Sequence, residues 1–275
     1  MTVRSADGDR PAAAARRLPG GCPDGRIRSR VKGIAVSPPV RAEKAGAAVL
    51  SIDVAGRPVE DPLAVFAAYC HRHGRTIRAY DWLAGTHPVL TPELIKVTRS
   101  PWMGSRISRE QEYHLLRLSE TAPWDDVPVH AHLRDADPMR DDGLYNRALG
   151  LYRHFLQDRP RALGHAKVSK ALHLVRPGLF LILDSALLKR YRQAAEVAAR
   201  DLAQAGSRHA PPRRAYWAAY RQDVVRAADG LAQLRAAASA HHDPLVVEAA
   251  GRLSDVRLLD ILAWMPDRQD APSVT

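Results

Sequence analysis

Residues 163–191 read LGHAKVSKALHLVRPGLFLILDSALLKRY. This stretch decides the fold. A helix is predicted from about Lys167 to Val175, and the pair Pro177-Gly178 breaks it. A short apolar segment, Leu179 to Leu183, then leads to Asp184, a residue suited to cap the next helix. That second helix carries Lys189, Arg190 and Arg192. Apolar spacing on both sides of the break predicts that the two helices pack around Leu172, Val175, Leu179 and Leu183.

The same chemistry recurs on either side. Asp61 with Pro62 starts a helix through Leu63, Phe66 and Cys70, and Gly74 is placed to end it. Thr91-Pro92-Glu93 repeats that start, and Ser108 with Gln111 fits a capping box. Leu144, Ala148, Leu151, Tyr152 and Phe155 form an apolar stripe. Pro212 opens a long helix through Tyr216, Tyr220, Val224, Ala227, Leu231 and Leu234. Asp243-Pro244 and Ser254 mark two further starts. No alternating strand and no Asn-Gly or Asp-Gly hairpin signal stands out. The expected class is all-α: about eight to ten helices in a single domain over residues 55–266. Disordered tails are expected at 1–54 and 267–275.

The chain has 275 residues and 46% apolar residues, enough for a packed core. Lys and Arg number 41 against 30 Asp and Glu, a formal charge of +11. Such a balance favours acidic partners, nucleic acid first. Residues 1–48 hold ten basic and four acidic residues, so more than half of the excess sits in the expected tail. It would attract phosphates without sequence preference. No run approaches a membrane span and no apolar leader is evident, so a cytoplasmic protein that does not enter membranes is expected. Two cysteines, Cys22 and Cys70, exclude a disulfide framework and four-cysteine metal sites. There is no phosphate-binding loop, dinucleotide fingerprint or serine-hydrolase elbow. No cofactor and no metal are expected.

The stretch from Gly164 to Asp184 resembles the helix-hairpin-helix superfamily of DNA glycosylases. There a glycine-bearing hairpin meets a DNA phosphate, and an aspartate about twenty residues later opens a helix in the active-site cleft. The separation here is 20 residues, and Phe180-Leu181-Ile182-Leu183-Asp184 is similar to the approach to that aspartate in the adenine-mismatch branch. Ala166 stands at the second hairpin glycine, Leu163 at the usual proline, and the four-cysteine loop is absent. Lys167 to Ser185 also resembles an uncharacterised actinobacterial all-helical family with a Lys-x-x-Lys-x-Leu…Pro-x-Leu…Asp-Ser core. Its closing motif is matched by Arg257, Leu259, Asp260, Trp264 and Met265.

The first resemblance implies a DNA- or other nucleic-acid-binding protein that cleaves an N-glycosidic bond. Asp184 would face the positive charge that builds on the sugar, and Gly164, Lys167, Lys170, Lys189 and Arg190 would contact the nucleic acid. Lys170 is also a candidate catalytic nucleophile. Asp184 is expected at the base of a cleft whose rim carries Lys167 or Lys170 and Lys189 or Arg190. Each has a plainer alternative: Asp184 as a helix cap, the lysines as solvated helix residues. A buried, hydrogen-bonded role is expected for His173, and the five tryptophans belong to a core or line a cleft. Two other classes stay open: a non-catalytic DNA-binding module, and an enzyme acting on a small nucleoside-like metabolite.

Overall fold

A computed structural model of the chain describes residues 50–100 and 106–265. The expectations for residues 1–49 and 267–275, and for Trp102, lie outside the described residues. Eleven α-helices and one two-stranded hairpin make up the described part, which bears out the all-α class. No helix among the described residues is long and apolar enough to cross a membrane.

The helices start where local chemistry places them. Helix α1 is Pro62–Ala79, with the Asp61 carboxylate accepting from the Ala64 N–H at 2.9 Å. Helix α2 is Pro92–Thr98, capped by the Thr91 hydroxyl. Helix α3, Arg109–Ser119, has the full capping box of Ser108 and Gln111. Helices α4 (Leu144–His154), α5 (His165–Val175) and α6 (Ser185–Arg190) follow. Then come α7 (Arg192–Gln204), α8 (Pro212–Arg226) and α9 (Ala228–Ser239). Helices α10 (Pro244–Arg252) and α11 (Asp255–Trp264) are capped by Asp243 and Ser254.

Four expectations need correction. Gly74 does not end α1. The helix kinks at His73 (φ −118°, ψ 23°) and continues, and the missing side chain of Gly74 leaves room for Leu245, whose Cδ2 would lie 2.9 Å from a Cβ. The long helix from Pro212 is two helices, parted at Ala227 (φ −81°, ψ 1°), which raises the count to eleven. A hairpin exists: β1 (Ile52–Val54) pairs antiparallel with β2 (Arg57–Val59). Its turn residues Ala55 and Gly56 both have positive φ, the geometry that favours Asn-Gly, so Ala55 conceals the signal. The Ala55 N–H donates to the buried Asp223 carboxylate at 2.7 Å, which anchors the turn on α8. Residues 52–54 therefore belong to the folded body and not to the tail expected over 1–54.

The fourth correction concerns packing. Leu172, Val175, Leu179 and Leu183 are all buried, as expected. Yet α6 rests on α11 and α7, while α5 packs against α2 and α4. The link between α5 and the start of α6 is polar: the Ser169 hydroxyl accepts from the Leu183 N–H at 3.0 Å.

Helix α11 is the centre of the fold. Val256 to Ala263 are buried without interruption, and α1, α6, α8, α9 and β1 pack around it. A helix buried all round leaves its polar side chains no solvent, so they must find partners inside. The Arg257 guanidinium donates to both oxygens of Asp81, at 2.8 and 3.3 Å, to the Tyr69 hydroxyl at 2.6 Å, and to Asp260 one turn on. A second arginine, Arg176 at the end of α5, donates to the carbonyls of Val127 and Pro88, each at 2.7 Å, and of Val175 at 2.9 Å. Its guanidinium lies 5.3 Å from the centre of the Trp124 ring.

Burial and the nearby Arg257 charge push the His173 imidazole down to about 3. Its Nδ1 lies 2.7 Å from the Phe180 carbonyl, so that nitrogen carries the proton and donates. The unfolded chain, titrating near 6.5, takes up a proton that the native state refuses. Stability tied to His173 is therefore full above pH 6.5 and is lost as pH falls toward 3. The stability gap between wild type and His173→Gln should shift toward the variant by about 1.4 kcal/mol per pH unit below 6.5. Urea unfolding at stepped pH checks this, and a gap that does not change with pH would contradict a buried neutral His173.

Candidate functional site

Helix α6 gathers the residues that the sequence singles out. Asp184 is its N-cap: one carboxylate oxygen, Oδ1, accepts from the Leu187 N–H at 2.9 Å. A cap of this kind is worth about 1 kcal/mol. Asp184 is half-buried, and the buried Leu183 and Leu187 on either side fix its direction.

Two cavities border this short helix. The larger holds about 530 Å³ and takes Leu183 and Leu188 from the α6 region. Helix α4 adds Tyr152 and Arg153, α5 adds His165, and α8 adds Tyr216 and Trp217. Its walls are ordered by ring contacts. Tyr152 stacks on His165 with planes 12° apart and its hydroxyl 3.1 Å from Nδ1. Trp217 meets Tyr152 edge-on at 5.4 Å and is backed by Phe180 at 5.2 Å. Trp217 is buried, while Tyr216 is only half-buried. The cleft is thus apolar and aromatic, with Arg153 as its cation.

The second cavity, about 380 Å³, is basic. Arg57 of β2 meets Lys189, Arg190, Arg192, Gln193 and Glu196 there. Four cations face one carboxylate. The hairpin that brings Arg57 is the element the sequence does not announce.

The expected site is thus only partly assembled. Lys189 and Arg190 come together in the basic cavity. Asp184 lines neither cavity; its neighbour Leu183 does. Gly164 caps α5 in ordinary extended geometry, next to His165 of the aromatic cleft. Lys167 donates to the Gln111 side chain at 2.9 Å and so braces the start of α3. Lys170 is half-buried, and its carbonyl accepts from the Tyr80 hydroxyl at 2.7 Å. Neither lysine lines these cavities, so the expected lysine rim is replaced by Arg153 and His165. Both lysines point to a structural reason: α5 faces α2 and α4 rather than α6.

The cleft residues escape sequence reading because α8 is far from α4 and α5 in the chain. Tyr152 shows there only as part of an apolar stripe, and Trp217 only as one of five tryptophans. Among the described residues no group of three His, Cys, Asp or Glu side chains is placed to hold a metal ion. Comparison with protein families, with curated proteins and with solved structures finds no match for this chain.

Proposed function

We propose that the protein binds nucleic acid along α6, a base entering the aromatic cleft and the backbone phosphates meeting the basic cavity. The observation that carries this reading is that one six-residue helix borders both: Leu188 lines the cleft, and Lys189 and Arg190 line the basic side. Stacking on an aromatic side chain contributes about 1–3 kcal/mol per base, and each phosphate contact adds salt dependence. Unpaired bases suit the cleft best, because its aromatic residues need a free ring face.

The test is fluorescence anisotropy with a labelled twelve-nucleotide single strand across a salt series. Tyr216→Ala should weaken binding by roughly 5- to 150-fold at fixed salt, with thermal stability little changed because Tyr216 is half-exposed. Lys189→Ala should leave the sequence preference alone and flatten the slope of log affinity against log salt by about 0.7. Wild-type binding that neither substitution weakens would overturn the reading.

A second reading adds chemistry. The cap uses only one oxygen of Asp184 and its neighbour Leu183 lines the cleft, so in this reading the other oxygen turns toward a sugar whose base is lodged beyond Leu183. In N-glycosidic cleavage the bonding pair leaves with the base, positive charge spreads over the sugar ring, and water adds to the anomeric carbon and gives up a proton that ends on the departing base. Asp184 would stabilise that charge. Asp184→Asn keeps the cap and removes the charge, so base release from DNA, assayed as alkali-labile sites, should disappear while binding persists. If the wild type releases no base from any duplex or single strand, the module binds without cleaving.

A further inference from the structure

A third cavity, of about 170 Å³, opens beside Arg257 and shares no lining residue with the two around α6. Asp81 is the one acidic residue that lines it.

Its buried members present donors. The Arg257 side chain is 9% exposed, while the Asp81 side chain is 0% exposed and turns both oxygens to the guanidinium. A molecule in the cavity therefore meets the cation and not the carboxylate. A guanidinium has five N–H groups. Asp81 takes two of them, Tyr69 one and Asp260 one. The fifth, on Nη1, donates to no described residue. Gly178 supplies a further donor. It is buried and lines the cavity, and its N–H makes no hydrogen bond to a described residue. Buried backbone N–H groups almost always have an acceptor, so this one calls for a partner from the cavity. A Cβ on Gly178 would fall 3.0 Å from the Ala131 carbonyl and 3.1 Å from His132 Nδ1, which shows how closely the histidine loop approaches its backbone.

The exposed members add donors and positive charge. Arg252, at the end of α10, lies over the Trp82 ring at 5.1 Å, and Arg78 lies 6.0 Å from the same ring. The Arg252 ion pair with Glu248 joins two exposed side chains, an interaction that exchanges readily with water and solutes. His130 and His132 are both exposed, and an imidazole carries at least one N–H in either protonation state. Donors from five residues thus border a space of roughly five or six waters. A carboxylate, with two oxygens, has about four acceptor positions and would leave some of these donors unused. A phosphate brings further strong acceptor oxygens and a second negative charge.

We propose that this cavity binds a phosphate group, free or at the end of a small monoester. Arg257 Nη1 and the Gly178 N–H hold its inner oxygens, and Arg252, His130 and His132 close on the outer ones. This site is independent of the nucleic-acid reading and goes beyond it.

The test is isothermal titration of the full chain with inorganic phosphate, with glycerol 3-phosphate and, as a control, with acetate. Phosphate should bind with a Kd below about 1 mM, and acetate about tenfold more weakly or not at all. Arg252→Gln, at a side chain 56% exposed, should keep the melting temperature and weaken phosphate about tenfold. In amide spectra of the wild type the Gly178 N–H resonance should move as phosphate is added, which separates this cavity from the basic one beside α6. Glycerol 3-phosphate that binds as well as phosphate identifies a monoester pocket, and its exclusion identifies a pocket for the free ion; either supports the site. No heat from phosphate, acetate binding as tightly, an affinity indifferent to Arg252→Gln, or a Gly178 resonance that stays in place would each overturn the proposal. A twelve-nucleotide single strand that moves the Gly178 resonance would overturn it too, by placing a phosphodiester chain here.

Discussion

The ion pair between Arg257 and Asp81 joins residues 176 positions apart, and the fold is arranged around it. Asp81 sits in the 3-10 turn that follows α1, Tyr69 lies within α1, and Arg257 and Asp260 project from the central α11. Losing one partner of such a buried pair typically costs about 3–5 kcal/mol, because the survivor is left charged in a medium that cannot solvate it. A well-packed apolar replacement of the whole group could cost nothing. The guanidinium ties α1 and the turn after it to α11. Burial lifts the Asp260 carboxyl to about 7 against the pull of Arg257, a sign of how little solvent reaches this helix.

Helix starts were legible in the sequence because they are local. Asp61, Thr91, Ser108, Asp184, Asp243 and Ser254 all cap within three residues of themselves. Helix ends and partners were not. Gly74 has the residue type of a terminator, yet Leu245 from a distant helix occupies the space beside it and the chain continues. At the break, Ala227 and Ala228 are good helix formers, while the poorer Val224, Val225, Asp229 and Gly230 lie within the two helices, so propensity misplaces it. The hairpin turn tolerates Ala55 in the left-handed region because Asp223 takes its N–H. At Gly74 and Ala55 propensity yields to tertiary contact.

The same division runs through the sites. Lys189 and Arg190 could be picked out because they share a helix with Asp184. Their companion Arg57 could not, since it arrives on β2 from more than a hundred residues earlier. Asp184 was legible as a cap, and the Arg257–Asp260 spacing was legible as a motif. The partners Asp81 and Tyr69 were not, and neither was the cavity they border. His130 and His132 looked like a hydrophilic loop, and only the close approach of Gly178 sets them beside His173.

Arg176 carries a consequence of its own. Its planar donors are shared among carbonyls from Pro88, Val127 and the end of its own helix, so segments with little regular structure wrap around it like a ligand shell around an ion. Small domains often cross-link such loops with zinc or a disulfide. Here a permanently charged side chain forms the cross-link, and it needs neither metal supply nor oxidant. A lysine, with its donors on a single atom, could not span the same carbonyls. The loops around Pro88 and Val127 are therefore joined through one side chain, and chelators and reductants leave that link untouched.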